Sequence, residues 1–173
     1  MSVSTINTLT PLNSEAQKLQ QALNNPWKMR YFFLSKLPTL TWWGVKVKSL
    51  SRERGQTSIP YGWRTQNPFQ STYFAAQAGA SELSTGMLGM LATAGRGKIS
   101  MLVTGMEAEY VKKATGTIVF TCEDGAAIEA TVLRAIETGE GQIFRATSVG
   151  VQEDTGMVVS KMYFTWSFKA KSK

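Results

Sequence analysis

From Phe69 to Ala92 the chain runs without proline and is rich in Ala, Leu and Met, directly after the breaker Gln66-Asn67-Pro68. Within it Ala76, Ala80, Leu83, Met87 and Met90 recur at i, i+4, i+7, i+11 and i+14, the repeat of one helix face. This spacing predicts one long, mostly buried helix in the middle of the chain. A helix that apolar needs a large partner surface, and the flanking segments are read for what could supply it.

On the C-terminal side, beyond the loop Ala94-Gly95-Arg96-Gly97-Lys98, the pattern is mainly that of strands. Runs from Ile99 to Val111, Thr117 to Cys122, Ile143 to Val151 and Met157 to Phe168 qualify. In the last, Val158, Met162, Phe164, Trp166 and Phe168 share one face, opposite Lys161, Tyr163, Thr165 and Ser167. Glu153-Asp154-Thr155-Gly156 reads as a hairpin turn, and the stretch between Gly125 and Thr138 as a helix, with further strand as the alternative. On the N-terminal side, Asn13 to Leu23 starts like a capped helix and stops at Asn24-Asn25-Pro26. A second helical piece runs from Trp27 toward Lys36, with Trp27, Tyr31 and Leu34 as a stripe read as core packing, before Pro38. Val45 to Leu50 and Thr57 to Tyr61 then form a strand pair around Arg54-Gly55.

At 173 residues and 43% hydrophobic content, one folded domain with a sizeable core is expected. The lone Cys122 cannot form an intrachain disulfide, and its alternating strand makes it a packed side chain rather than a nucleophile. Met1 to Asn13 lacks the pattern of a signal peptide and no stretch is long and apolar enough to span a bilayer, so a cytoplasmic location is expected. The chain has no histidine. Ser-His-Asp hydrolysis, Cys-His proteolysis and HExxH metalloproteolysis are therefore excluded, and any acid or base must be a carboxylate, tyrosine, lysine or cysteine. The formal charge of +7 fits coenzyme A phosphates, nucleic acid or simply a solvated basic surface; Lys and Arg look scattered, with Lys169, Lys171 and Lys173 in the tail. Gly95-Arg96-Gly97-Lys98 is not a phosphate loop, because Ala92 and Ile99 stand where that motif needs Gly and Ser or Thr.

Two short strands, one long helix and then several antiparallel strands is the order of the hotdog superfamily, which this chain resembles from about Trp27 to Lys169. It is more specifically similar to an uncharacterised branch with an N-terminal helical extension. The resemblance implies an α+β hotdog fold, a long central helix wrapped by a curved antiparallel sheet, with residues 1–25 as a helical extension and 26–173 as the hotdog domain. The motif lies in Asn67-Pro68-Phe69-Gln70-Ser71-Thr72-Tyr73-Phe74-Ala75 and onward to Glu82. Hotdog thioesterases of the phenylacetate-pathway type carry an Asn before the helix, His-Gly-Gly at its start and an acid nine residues after that His. Registered on the acid, Glu82 and Asn67 match, and Tyr73-Phe74-Ala75 stands in place of His-Gly-Gly. The stretch Tyr110 to Gly116 is similar to the turn that follows in the family.

These matches imply a thioester hydrolase acting on acyl-coenzyme A or an acyl carrier, without metal or other cofactor. Glu82 would be base or nucleophile, Asn67 would orient water or the carbonyl, and the N–H groups around Tyr73, Phe74 and Ala75 would form the oxyanion site behind a Ser71-Thr72 cap. Phe74 and Ala75 in place of two glycines crowd that site. Glu82 has a competing reading as an acid paired across a dimer interface or facing solvent, and Asn67 as a turn residue before Pro68. Arg96, Lys98, Lys112 and Lys113, with Tyr110, are candidates for the coenzyme A phosphates, against the alternative of solvated loops. The rival function is acyl-chain or lipid binding without turnover; nucleic acid is disfavoured. A homodimer, or a tetramer built from it, is expected because the resemblance implies sheets joined edge to edge and sites shared between subunits.

Overall fold

The computed structural model describes residues 11–171, so most of the N-terminal segment read above, together with Lys173, lies outside the described residues. Three helices come first: α1 (Ser14–Leu23), α2 (Pro26–Lys36) and α3 (Pro38–Trp43). Strands β1 (Lys46–Leu50) and β2 (Gly55–Ile59) lead to the central helix α4 (Phe74–Thr93). Then follow β3 (Ile99–Tyr110), β4 (Ile118–Cys122), α5 (Gly125–Thr138), β5 (Gln142–Gln152) and β6 (Val158–Ala170). The strands form one antiparallel sheet in the order β1-β2-β4-β5-β6-β3.

Helix α4 packs against all six strands and is buried on nearly every side. Met87 and Leu88 meet a core that includes Ile59, Ile118, Phe120, Met162 and Phe168. The approach of sheet and helix is close enough that a Cβ on Gly55 of β2 would collide with the Ser84 carbonyl oxygen. Polar side chains run along the same contact. Ser84 and Ser148 share a hydrogen bond of 2.8 Å, Thr57 Oγ1 donates to the Ala80 carbonyl, and Ser160 Oγ donates to Gln77 Oε1. Helix α5, predicted from Gly125 to Thr138, crosses from β4 to β5 and buries Ile128, Val132 and Ala135 at i, i+4 and i+7.

Five expectations need correction. The central helix starts at Phe74 rather than near Ser71-Thr72, because Asn67 to Ser71 forms a tight turn with Gln70 at φ 58 and the N–H groups of Thr72 and Tyr73 go to the Ala114 and Thr65 carbonyls. No side chain caps it: the Thr72 hydroxyl donates instead to the Ala114 carbonyl. The stripe Trp27, Tyr31, Leu34 is 79%, 75% and 57% exposed, while Met29 and Phe33 are the buried residues of α2. Asn24 decides this orientation, since its amide takes the Leu50 N–H and donates to the Leu50 carbonyl, docking the helices onto the end of β1. Pro38 does not end helicity either; it opens α3 from the first position, where a missing N–H does no harm. Finally, Val158 is exposed and Val159 buried, beside a register shift in the β5–β6 ladder.

Met87 is fully buried beneath this helix. Met87→Ala is expected to lower unfolding stability by about 2–5 kcal/mol through the cavity it leaves. Chemical denaturation measures this, and an unchanged midpoint would contradict the packing.

Candidate active site

Asn67 ends the segment that leaves β2 and is occupied locally. Its Oδ1 accepts from the N–H groups of Phe69 and Ser71, and its Nδ2 donates to Ser71 Oγ. This turn delivers the chain to α4. The Thr72 N–H donates to Ala114 and the Tyr73 N–H donates at 2.6 Å to the Thr65 carbonyl. Of the N–H groups expected to face a substrate, that of Tyr73 is thus engaged, and the unpaired first-turn donors of α4 are those of Phe74, Ala75 and Ala76. Tyr73 and Phe74 are exposed and stack edge to face, with ring centroids 4.9 Å apart.

The loop after β3 closes on the same end of the helix. Tyr110 donates from its hydroxyl to the Phe74 carbonyl at 3.3 Å, and Lys113 Nζ donates to the Phe69 carbonyl. Lys112 lies against Met157 Sδ. Asn67, Tyr73, Phe74, Ala75 and Lys113 therefore gather at one end of α4, while the Lys112 side chain reaches the β5–β6 turn at Met157. Burial pushes the Tyr110 phenol up from its ordinary range.

Glu82 lies two turns further along, half-buried and without a hydrogen-bond or ion-pair partner among the described residues. Its carboxylate rests beside Gly86: a Cβ there would stand 3.2 Å from Glu82 Oε1 and 3.4 Å from the Trp166 ring. Desolvation raises its pKa above the ordinary 4.5. The indole N–H of Trp166 donates to Thr85 Oγ1, and Thr85 Oγ1 donates to the Glu82 carbonyl. From sequence, Trp166 is legible only as one residue of a strand face. The hydroxyl of Ser81, one residue before Glu82, is buried without a partner among the described residues.

Arg96 and Lys98 follow the opposite end of α4, about 30 Å along the axis from its start. The Arg96 guanidinium pairs with the buried carboxylate of Glu129, which Arg52 also holds at 2.6 Å. Arg96 is thereby committed to structure, and Lys98 is exposed. Nothing local announces this triad, because its members lie on three different elements. Cys122 is buried, and burial pushes its thiol up to about 12, which leaves it unreactive. No helix among the described residues is long and apolar enough to cross a membrane.

Among proteins with curated descriptions, none matches this sequence. Solved structures do match the fold. A protein of unknown function from Chlorobaculum tepidum superposes with a TM-score of 0.70 at 15% identity, over 90% of this chain and 94% of that one. Thioesterase superfamily member 2 from Mus musculus gives 0.59 at 15% identity, over 90% and 98%. The Escherichia coli PaaI protein from the phenylacetic acid degradation operon gives 0.60 at 9% identity, over 90% and 98%. The long helix wrapped by a curved antiparallel sheet is thus a hotdog fold, as in the thioesterase superfamily. Residues 26–168 match the family described as Domain of unknown function (DUF4442), and the chain belongs to that family.

Proposed function

We propose that the protein hydrolyses an acyl thioester of the acyl-coenzyme A or acyl-carrier kind, with Glu82 as base or nucleophile. The observation that carries this reading is the state of that carboxylate: half-buried, unpaired among the described residues and raised in pKa by desolvation. Those are the properties of an effective base rather than of a surface acid. The N–H groups of Phe74, Ala75 and Ala76 are the donors for charge building on the carbonyl oxygen. Lys113, beside that end of the helix, and its neighbour Lys112 are the cations for coenzyme A phosphates. Asn67 is a positioning residue, since it builds the turn that fixes where α4 begins.

Ala75 and Glu82 are seven residues apart on one helix, about 10 Å along its axis. A single carbonyl cannot lie within hydrogen-bonding distance of the one while meeting the carboxylate of the other. The reading therefore goes with a homodimer in which donors of one copy serve Glu82 of the second. The long edge strand β3, paired only with β6 and exposing Leu102, Met106 and Tyr110, supports such an interface. Acyl-chain binding without turnover is the second reading, favoured by Phe74 and Ala75 where close approach to backbone calls for glycine.

Glu82→Gln is expected to lower thioesterase activity by about 10²–10⁴ with folding preserved, measured as free thiol released from a panel of acyl-coenzyme A substrates. An unchanged rate removes Glu82 from the chemistry. Under the binding-only reading the same variant keeps or improves acyl-ligand affinity. The raised pKa has a signature of its own. The folded protein binds the Glu82 proton more tightly than the unfolded chain, so stability is lost as pH rises from 4.5 through the raised folded value. Thermal melts should show Glu82→Gln gaining on wild type across that window; equal differences on both sides of it contradict the desolvation. Light scattering at micromolar concentration is expected to give at least twice the chain mass of 19.0 kDa, and a monomer would overturn the shared site.

A further inference from the structure

We propose a second ligand site, lined by no residue of α4, that takes a single-chain amphiphile with an anionic head. A cavity of about 550 Å³ opens between α2, α3 and the start of β1. That volume is in the range of about 300–1,000 Å³ typical of small-molecule pockets. Its walls include the buried apolar side chains of Met29, Phe33 and Val45, with Val47 partly exposed beside them. Exposed Arg30, Lys46 and Arg64 also line it, and none of the three has an acidic partner among the described residues. Arg64 lies over the Trp42 ring. One hydrogen-bonding atom of the cavity wall is left over: Thr41 Oγ1 is buried without a partner among the described residues.

The charge distribution agrees. Residues 24–81 contain eight Lys and Arg and a single acid, Glu53, so this segment alone carries the formal net charge of +7 and the rest of the chain sums to zero. The basic charge is therefore concentrated on the part of the chain that builds the cavity, rather than scattered or supplied by the tail. An apolar recess with unpaired cations at its opening complements a hydrocarbon chain ending in carboxylate or phosphate. A cationic or uncharged head leaves the same cations unmatched. Nucleotides are a poor fit, because the walls offer little hydrogen bonding for a base. The site also touches the central helix indirectly: Leu40 and Trp43, on α3 beside Thr41, pack where Gly79 of α4 has no side chain.

The probe is dodecanoate below its micelle concentration, titrated into the full chain and followed by Trp fluorescence, since Trp27 lines the cavity. Dodecanoate is expected to bind, and dodecyltrimethylammonium and dodecanol are not. The exposed double variant Arg30→Glu/Arg64→Glu should weaken dodecanoate by about tenfold or more. Val47→Trp, which fills the recess, should abolish binding with the thermal midpoint retained. Dodecyl phosphate tests whether the head is read as charge or as carboxylate, and binding of either anion supports the site. Three results overturn it. Dodecanoate affinity unchanged in Arg30→Glu/Arg64→Glu is one, and loss of binding in Glu82→Gln but not in Val47→Trp, which places the ligand at α4, is another. The third is retention on anionic phospholipid vesicles without dodecanoate binding, which makes this a membrane-facing surface instead.

Discussion

The structure depends on burying α4 in a single sheet. A helix that touches six strands has almost no solvent face, so its sequence must satisfy packing and polar pairing all round. Small residues make the first possible: Ala76, Ala80, Gly86 and Gly89 let strands approach the helix backbone, and Gly89 leaves room for Met101. Serine, threonine and glutamine do the second by pairing with partners across the sheet. The Ser84–Ser148 and Ser160–Gln77 bonds join residues far apart in sequence, and each would leave a buried polar atom if its partner were removed.

Against that background the two inward carboxylates differ sharply. Glu129 on α5 is buried and meets two arginines, Arg52 from the β1–β2 turn and Arg96 from the loop after α4. Its charge is compensated, and it ties three elements together; removing either side would strand the other in a poorly solvated place. Glu82 sits on the central helix with no such partner among the described residues, beside Gly86 and the Trp166 ring. The fold supplies Glu129 with two cations and Glu82, among the described residues, with none, so it holds a desolvated acid at a stability cost.

The N-terminal helices follow a third logic. They are docked by backbone-directed amides, Asn13 donating to the Ala94 carbonyl and Asn24 bracketing Leu50, so their attachment does not consume the aromatic side chains of α2. Trp27 and Tyr31 stay outside, on a stretch of chain, residues 24–52, that contains no acid. Exposed aromatics and concentrated charge on an element already anchored by other means are surplus to folding.

Sequence alone determined what depends on near neighbours. The 3.6-residue repeat of Ala76, Ala80, Leu83 and Met87, the alternation through Phe164, Trp166 and Phe168, and the Gly156 turn are local signals, and each lies in the element expected of it. The motif around Asn67 and Glu82 was legible for the same reason, as a spacing along the chain. Tertiary structure decided what depends on distant partners. The helix begins at Phe74 because carbonyls of Thr65 and Ala114 take the N–H groups before it. Arg96 belongs to Glu129, thirty-three residues away, and not to a ligand's phosphates. Met29 and Phe33, rather than Trp27 and Tyr31, face inward because Asn24 fixes the docking of α2 on β1. Periodicity states that a helix has faces, but the partner that selects one of them is brought by the fold.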